Sequence, residues 1–157
     1  MTLTQARNIY DQVENQEAQD RPYIVVGKIE LDPTTMPWDE FRRELVYRMR
    51  MLGVSSPLGT VEIRDPGFEP TGFPADWHQD GGKRYINNSR YHVPFATWTN
   101  MQPTLVRWIG ETKEYQPNPY ELVIFDNGKV QHRPPYERIH PDRVFARVAP
   151  LVSLNYN

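Results

Sequence analysis

The first third of the chain carries two helical hydrophobic patterns, separated by a run of β-branched residues. Apolar residues recur at helical spacing within residues 2–19, which predicts an amphipathic helix. The segment YIVVGKIEL at 23–31 predicts a strand, because β-branched side chains favour an extended backbone. A second helix is predicted over 38–52, and Gly53 is placed to end it. Its predicted buried face consists of Trp38, Phe41, Leu45, Met49 and Leu52.

After Gly53 the pattern changes to short apolar segments separated by turns rich in proline and glycine. The segments with strand character are TVEIR (60–64), ADWHQD (75–80), RYHVPFATWT (90–99), TLVRWI (104–109), ELVIF (121–125), KVQHR (129–133) and RVFARVA (143–149). The turn Asp126-Asn127-Gly128 joins two of them, which predicts a β-hairpin with Gly128 at a positive φ. We therefore predict a mainly β single domain (1–157), in which a helical lead-in (1–53) precedes an antiparallel β-barrel or jelly roll (54–157).

Composition supports a folded protein and excludes several kinds of site. Aromatic residues make up 12% of the 157 residues, whereas disordered chains are poor in them. The sequence has no cysteine, which excludes disulfides, thiolate nucleophiles and cysteine-ligated zinc. A net charge of -2 provides no overall basic field for nucleic acid, and no apolar run has the length of a membrane span. We therefore expect a cytoplasmic protein with neither a nucleic-acid nor a membrane partner.

Two histidines and one aspartate are the first candidates for chemistry. On a strand, residues i and i+2 point to the same face, so His78 and Asp80 can bind one ion. A surface turn at Gly81-Gly82 is the alternative interpretation of this tripeptide. His132 lies on the second strand of the predicted hairpin. Two histidines and one carboxylate form a facial triad, which leaves three positions on Fe(II) open for a chelating cosubstrate and O₂.

Two arginines lie on the last of these predicted strands. Arg143 and Arg147 are four residues apart, so they share one face with Phe145 between them. An inward-facing guanidinium group in a barrel needs an anionic partner, and a dicarboxylate can bind it through two parallel hydrogen bonds. For Arg147, a structural aspartate or glutamate is the alternative partner.

The segments WHQDGG, ELVIFDNGKVQHRPPY and DRVFARV, within residues 75–150, resemble segments of the iron- and 2-oxoglutarate-dependent oxygenases. The pattern is most similar to that of the taurine dioxygenase and clavaminate synthase branch. This resemblance implies a double-stranded β-helix, which is a jelly-roll or cupin-like barrel. It also implies Fe(II) as cofactor, 2-oxoglutarate as cosubstrate, and hydroxylation of a C–H bond by O₂ with release of succinate and CO₂.

The resemblance assigns roles to the matched residues. The implied metal ligands, and hence the catalytic residues, are His78, Asp80 and His132. Arg143 is implied to pair with the distal carboxylate of 2-oxoglutarate. Thr104 falls where the branch often places a threonine that helps to hold the same carboxylate, so the cosubstrate site would combine a guanidinium and a hydroxyl group.

Contacts with the primary substrate are predicted at two further residues. In parts of the branch, an arginine at the place of Arg147 contacts an acidic group of the substrate. Asn100 ends a strand beside Thr104, where a pocket wall is expected, with ordinary strand-end polarity as the alternative. The chain also departs from the branch, because Arg133 stands where a glycine commonly follows the distal histidine. This difference leaves the substrate class open.

Three functions fit this pattern. The first is an oxygenase that acts on a small molecule or on a side chain of a larger one. The second is a non-catalytic cupin-type barrel that binds a ligand or a partner without turnover. The third is a Zn²⁺-dependent hydrolase with the same two histidines and carboxylate as ligands. The oxygenase is favoured, because a binding barrel does not need both the triad and the paired arginines, and a zinc hydrolase does not explain Arg143. A homo-oligomer stays open beside the monomer, since so small a barrel can use a partner's surface to close its pocket.

Overall fold

The computed structural model describes residues 21–54, 59–69, 76–80, 91–92, 94–150 and 154–155. The elements in chain order are β1 (Ile24–Lys28), a 3₁₀ turn (Pro33–Thr35), α1 (Trp38–Met51), β2 (Gly59–Ile63), β3 (Tyr91–His92), β4 (Pro94–Thr99), β5 (Leu105–Trp108), β6 (Glu121–Asp126), β7 (Val130–Arg133), β8 (Phe145–Pro150) and β9 (Leu154–Asn155). The predicted helix over 2–19 lies outside the described residues. The mainly β class is confirmed.

Helix α1 confirms the second predicted helix. Asp39 and Glu40 lie in its first turn, where carboxylates are stabilised by the positive end of the helix dipole. Gly53 has a φ of 81°, and the N–H of Val54 donates to the carbonyl oxygen of Met49 at 3.3 Å. The helix thus ends at a left-handed glycine, as the sequence predicts. Within the described residues, no helix combines the length and apolar character that crossing a bilayer requires.

The main sheet has five strands in the order β1-β6-β4-β8-β2, and every neighbouring pair is antiparallel. Strands β5 and β7 form a separate two-stranded antiparallel sheet, and β3 pairs with β9 in another. In the part of the chain that the structure describes, these sheets do not close into a barrel. The predicted antiparallel β-structure is confirmed, whereas a closed barrel is not.

One face of the main sheet packs against α1 and forms the larger apolar core. Phe41, Leu45 and Met49 of α1 are fully buried there, and the rings of Phe41 and Trp98 lie 6.2 Å apart. Burial of each such side chain contributes roughly 1.5–3 kcal/mol to stability. The sheet residues of this core are Ala96, Trp98, Leu122, Ile124, Ala146 and Val148.

The opposite face of the main sheet packs against the two-stranded sheet that β5 and β7 form. Phe95 and Phe125 of the main sheet form a second apolar cluster with Val106 of β5 and Val130 of β7. Because side chains alternate along a strand, this cluster uses the positions between those that face α1. The main sheet and the β5–β7 sheet thus pack together through this apolar cluster. The residues predicted to bind metal lie next to it.

The predicted hairpin at Asp126-Asn127-Gly128 is wrong. Strand β6 lies between β1 and β4 in the main sheet, whereas β7 pairs with β5, so the turn carries the chain from one sheet to the other. The N–H of Lys129 donates to the Asp126 carbonyl oxygen at 2.9 Å. Gly128 is not among the positive-φ glycines of the described residues, because this turn need not match the twist of two paired strands.

Candidate metal centre

The three predicted metal ligands converge at one point. The Nε2 atoms of His78 and His132 lie 3.3 Å and 3.2 Å from Oδ1 of Asp80, respectively. One potential ligand atom from each residue lies within 4.8 Å of the other two. Two imidazole nitrogens and one carboxylate oxygen at this spacing can hold a single metal ion.

The two histidines are placed by direct backbone pairing. His78 and His132 exchange N–H to carbonyl hydrogen bonds of 3.1 Å and 2.9 Å, and their ring centroids lie 4.4 Å apart. The Nδ1 atom of His78 lies 2.8 Å from the carbonyl oxygen of Asp76, a contact that orients Nε2 towards the site. Within residues 76–80, this single bridge takes the place of the strand predicted over 75–80.

Asp80 is held by the side chain of Asn127, for which the sequence predicts only a place in a turn. The N–H of Asp80 donates to Oδ1 of Asn127 at 2.9 Å, and Nδ2 of Asn127 donates to the Asp80 carbonyl oxygen at 2.7 Å. Gln79 adds a bond from Nε2 to the Asn127 carbonyl oxygen at 2.7 Å. An amide side chain has one acceptor and two donors, so it can pair with a backbone as a neighbouring strand would. The turn before β7 therefore anchors Asp80.

Arg147 fixes the orientation of the Asp80 carboxylate. Its Nη1 donates to Oδ2 of Asp80 at 3.0 Å, and its Nε donates to Oε2 of Glu62 at 2.8 Å. Oδ1 of Asp80 is thereby left to face the two histidines. The alternative in which Arg147 has structural carboxylate partners is confirmed, and its contact with a substrate stays a prediction.

The charges of this cluster shift two pKa values in opposite directions. Burial alone would raise the pKa of Asp80, but hydrogen bonds with His132 and His78 and the charge of Arg147 hold it well below its usual range. The hydrogen bond with Asp80 raises the pKa of His78, although burial opposes this. Asp80 is thus an anionic ligand at neutral pH, and a proton on His78 competes with a metal ion.

The triad lies on the wall of a cavity of about 280 Å³ between the two sheets. Besides the triad, its lining comprises Arg64, Phe68, Thr104, Pro134, Arg143, Phe145 and Arg147. A larger groove of about 510 Å³ runs along α1 and contains none of these residues. The predicted cosubstrate residues, Thr104 and Arg143, therefore share one cavity with the metal centre.

Arg143 brings a buried positive charge to this cavity. It is 5% exposed, and its Nε donates to the carbonyl oxygen of Gln102 at 2.9 Å. Burial lowers its pKa to about 10, opposed by the charge of Glu137, so the group stays protonated at neutral pH. No carboxylate of the described residues forms an ion pair with it within 4.0 Å. A buried cation in this position favours an anionic ligand.

Asn100 lies elsewhere than predicted. Its Nδ2 donates to the Asp142 carbonyl oxygen at 2.9 Å, and its Oδ1 accepts from the N–H of Val144 at 2.8 Å. The residue is buried and does not line the cavity. Its amide therefore holds the chain segment that carries Arg143, as strand-end polarity would, and the predicted substrate contact at Asn100 is not supported.

No protein-family model and no curated protein matches this chain. The chemistry of the site therefore follows from its geometry. Nitrogen and oxygen donors of this kind bind Fe(II) and Zn²⁺, and three protein ligands leave positions for further ligands. A metal ion with open coordination positions can bind one end of a small anion. The buried guanidinium group of Arg143 can bind the other end.

Proposed function

We propose that this protein is an Fe(II)- and 2-oxoglutarate-dependent oxygenase that hydroxylates a C–H bond of a small molecule. The observation that carries the proposal is one cavity that joins the triad to Arg143, a buried cation without a carboxylate partner among the described residues. A metal ion alone would suit many reactions. The guanidinium group adds a binding site for the far end of a dicarboxylate that chelates the metal.

The residues of the triad fit Fe(II) in the manner of a facial triad. Asp80 offers Oδ1, because Oδ2 is held by Arg147, so the protein supplies three ligand atoms in all. When bound, Fe(II) with 2-oxoglutarate and O₂ supplies an oxidant for a C–H bond and releases succinate and CO₂. The protein orients the ligands, and Phe145 and Pro134 exclude water from part of the cavity wall.

Arg143 and Thr104 would hold the distal carboxylate of 2-oxoglutarate. Both are buried side chains on the cavity wall. A carboxylate placed against Arg143 replaces the hydration that the buried guanidinium group has lost, and the Thr104 hydroxyl can donate a further hydrogen bond. These contacts would fix the direction from which the cosubstrate reaches the metal.

The proposal includes a double-stranded β-helix as the scaffold. Two observations support this finer description of the fold. The main sheet and the two-stranded sheet pack face to face through Phe125 and Val106, and the triad lies where they meet. The chain also passes directly from β6 in one sheet to β7 in the other, as the winding of such a fold requires.

The proposal is tested with Fe(II), 2-oxoglutarate and the full chain. Without O₂, the mixture should give a weak visible charge-transfer band, and in air it should form succinate. Arg143→Ala should raise the KM for 2-oxoglutarate about 30- to 1000-fold, because a buried charge-assisted pair is lost. Arg138→Ala, at a side chain that is 83% exposed, is the matched control and should change nothing.

Three outcomes would contradict the proposal in whole or in part. A Zn²⁺-dependent hydrolase would bind metal at the same triad but give neither the band nor succinate. An unchanged KM in Arg143→Ala would separate the arginine from the cosubstrate, even if succinate formed. A binding barrel without turnover would keep affinity for a ligand and form no product under any of these conditions.

A further inference from the structure

We propose that the substrate of this site is a small organic anion and that Arg64 binds its negatively charged group. This inference rests on the proposed function and adds to it the substrate class and a residue that selects it. Arg64 lines the same cavity as the triad, but its side chain is 42% exposed, whereas Arg143 is 5% exposed. Arg64 therefore lies at the solvent side of the cavity and Arg143 in its interior.

Strand β2 directs Arg64 to this position. Glu62 is paired with Arg147 of β8, and the N–H of Arg64 donates to the Phe145 carbonyl oxygen at 2.9 Å. Because alternate residues of a strand share a face, Glu62 and Arg64 lie on the cavity side together with Arg147 and Phe145. The guanidinium carbon of Arg64 lies 5.4 Å from the centre of the Phe68 ring, another part of the wall.

Among the described residues that line the cavity and their ion-pair partners within 4.0 Å, the charges leave an excess of one positive charge. Three guanidinium groups, those of Arg64, Arg143 and Arg147, face the two carboxylates of Glu62 and Asp80. A divalent metal ion and a doubly negative cosubstrate cancel each other, so they leave this excess unchanged. A substrate with one negative charge would neutralise it, which favours an anion over a neutral or cationic molecule.

Arg64 is the arginine best placed to take that anion. Arg147 already has two carboxylate contacts, at 2.8 Å and 3.0 Å, and Arg143 lies deeper, where the cosubstrate is proposed to bind. Arg64 approaches Glu62 only at 3.7 Å, and it shares that oxygen with Arg147. A long, half-exposed ion pair of this kind contributes little, so an incoming carboxylate can replace it at low cost.

Three other side chains of the cavity wall are apolar, which favours a substrate with an apolar portion. Phe68 is 44% exposed, and Phe145 and Pro134 line the cavity beside it. A volume of about 280 Å³ is just below the usual range for ligand pockets, roughly 300–1,000 Å³, which favours a small substrate. The substrate class is thus a small carboxylate, or a similar anion, with an apolar or aromatic portion.

The test compares 3-phenylpropionate with its neutral amide, 3-phenylpropionamide. Both are titrated by calorimetry into the full chain loaded with Ni²⁺ and saturated with 2-oxoglutarate, so that Arg143 is occupied and no reaction occurs. The carboxylate should bind about tenfold tighter than the amide, a preference that salt should weaken. Arg64→Gln should remove most of it, and Arg64→Lys should retain part of it as a point charge. Arg42→Gln, an exposed arginine of α1, is the control.

The outcomes separate this inference from the proposed function. Equal binding of the two probes, no binding of the carboxylate, or a preference that survives Arg64→Gln would overturn the inference, although succinate formation would keep the oxygenase. A preference that depends on Arg64, in a protein without charge-transfer band or succinate, would keep the anion site and refute the oxygenase. If Arg64→Gln lowers the Tm, Arg64→Lys and the salt dependence decide, because a folding defect alone would not change the carboxylate preference.

Discussion

The two faces of the main sheet use the same strands for different purposes. On β4, β6 and β8, the residues that pack under α1 are apolar and even-numbered: Ala96, Trp98, Leu122, Ile124, Ala146 and Val148. The odd-numbered positions of β4 and β8 include Thr97 and Thr99, which are buried and polar, and Arg147, which binds Asp80. One face is thus built for stability and the other for chemistry, although their residues alternate along the chain.

This difference has an energetic reason. A buried charge costs free energy unless it is paired, and even a paired charge adds little net stability. The cavity face carries Arg143, Arg147 and Asp80, so it contributes less to folding than an apolar face of equal area. The core under α1 must therefore supply more of the stability that holds the main sheet in place.

Substitution in the core under α1 should have the largest effect on stability. Phe41→Ala removes a fully buried ring that contacts Trp38 and Trp98, and it should lower the free energy of unfolding by about 3–5 kcal/mol. Metal affinity per folded molecule should not change. Met51→Ala, at a residue of the same helix that is 70% exposed, should stay within about 0.5 kcal/mol of the parent. Chemical denaturation and metal titration measure both quantities.

Substitution in the metal centre should have the reverse effect, with a large loss of metal affinity and a small loss of stability. His132→Ala should weaken Fe(II) binding more than about 100-fold, because a ligand is lost, while metal-free stability falls by less than about 2 kcal/mol. Anaerobic competition with a chelating dye measures the affinity. His140→Ala, at a half-exposed histidine of a turn, is the control. Normal affinity in His132→Ala, with His140 or His92 required instead, would show that the triad is misassigned.

Arg147 sharpens the comparison, because an ion pair of the same length lies on the exposed surface of α1. Arg147 contacts Glu62 at 2.8 Å on the cavity face, and Arg48 contacts Glu44 at 2.8 Å on the surface of the helix. Arg147→Gln should lower metal affinity about 10- to 100-fold, because Asp80 loses its orienting partner. Arg48→Gln should change neither metal affinity nor stability by a measurable amount. Equal effects of the two substitutions would mean that Arg147 is only a surface ion pair.

The sequence allowed the helix-facing side of the sheet to be predicted better than the cavity side. Period-two alternation indicates which residues share a face, and helical spacing identified Phe41, Leu45 and Met49. Neither pattern indicates which strands pair. The residues Asp126-Asn127-Gly128 therefore predict a hairpin, although β6 and β7 belong to different sheets.

The three residues of the triad are predictable from the sequence, but the residues that hold them in position are not. His78 and Asp80 follow the i, i+2 rule, and His132 has a recognisable local sequence. The bonds from Asn127 to Asp80 span 47 residues, and Glu62 lies 85 residues from Arg147. Contacts between such distant residues depend on tertiary packing, for which a single sequence carries no periodic signal.

The smallest expected effect is on the pH dependence of stability, and its sign follows from His78. The pKa of His78 is raised in the folded protein by the hydrogen bond with Asp80. The protonated group therefore adds stability below the unfolded pKa of about 6.5, and this contribution is lost as the pH rises through the folded pKa. Since the side chain is 42% exposed, solvent limits the contribution to less than about 1 kcal/mol.

Thermal unfolding in EDTA between pH 6 and pH 8.5 tests this sign. The stability difference between the wild type and His78→Gln should shrink as the pH rises, because only the wild type loses the protonated imidazole. The difference between the wild type and Leu45→Ala should stay constant, because Leu45 lies in an apolar core without a group that titrates in this range. Parallel curves for the wild type and His78→Gln would show that the contact with Asp80 does not raise the His78 pKa. A changing difference for Leu45→Ala would show that the two faces of the sheet are coupled, and that the site and the core cannot be perturbed separately.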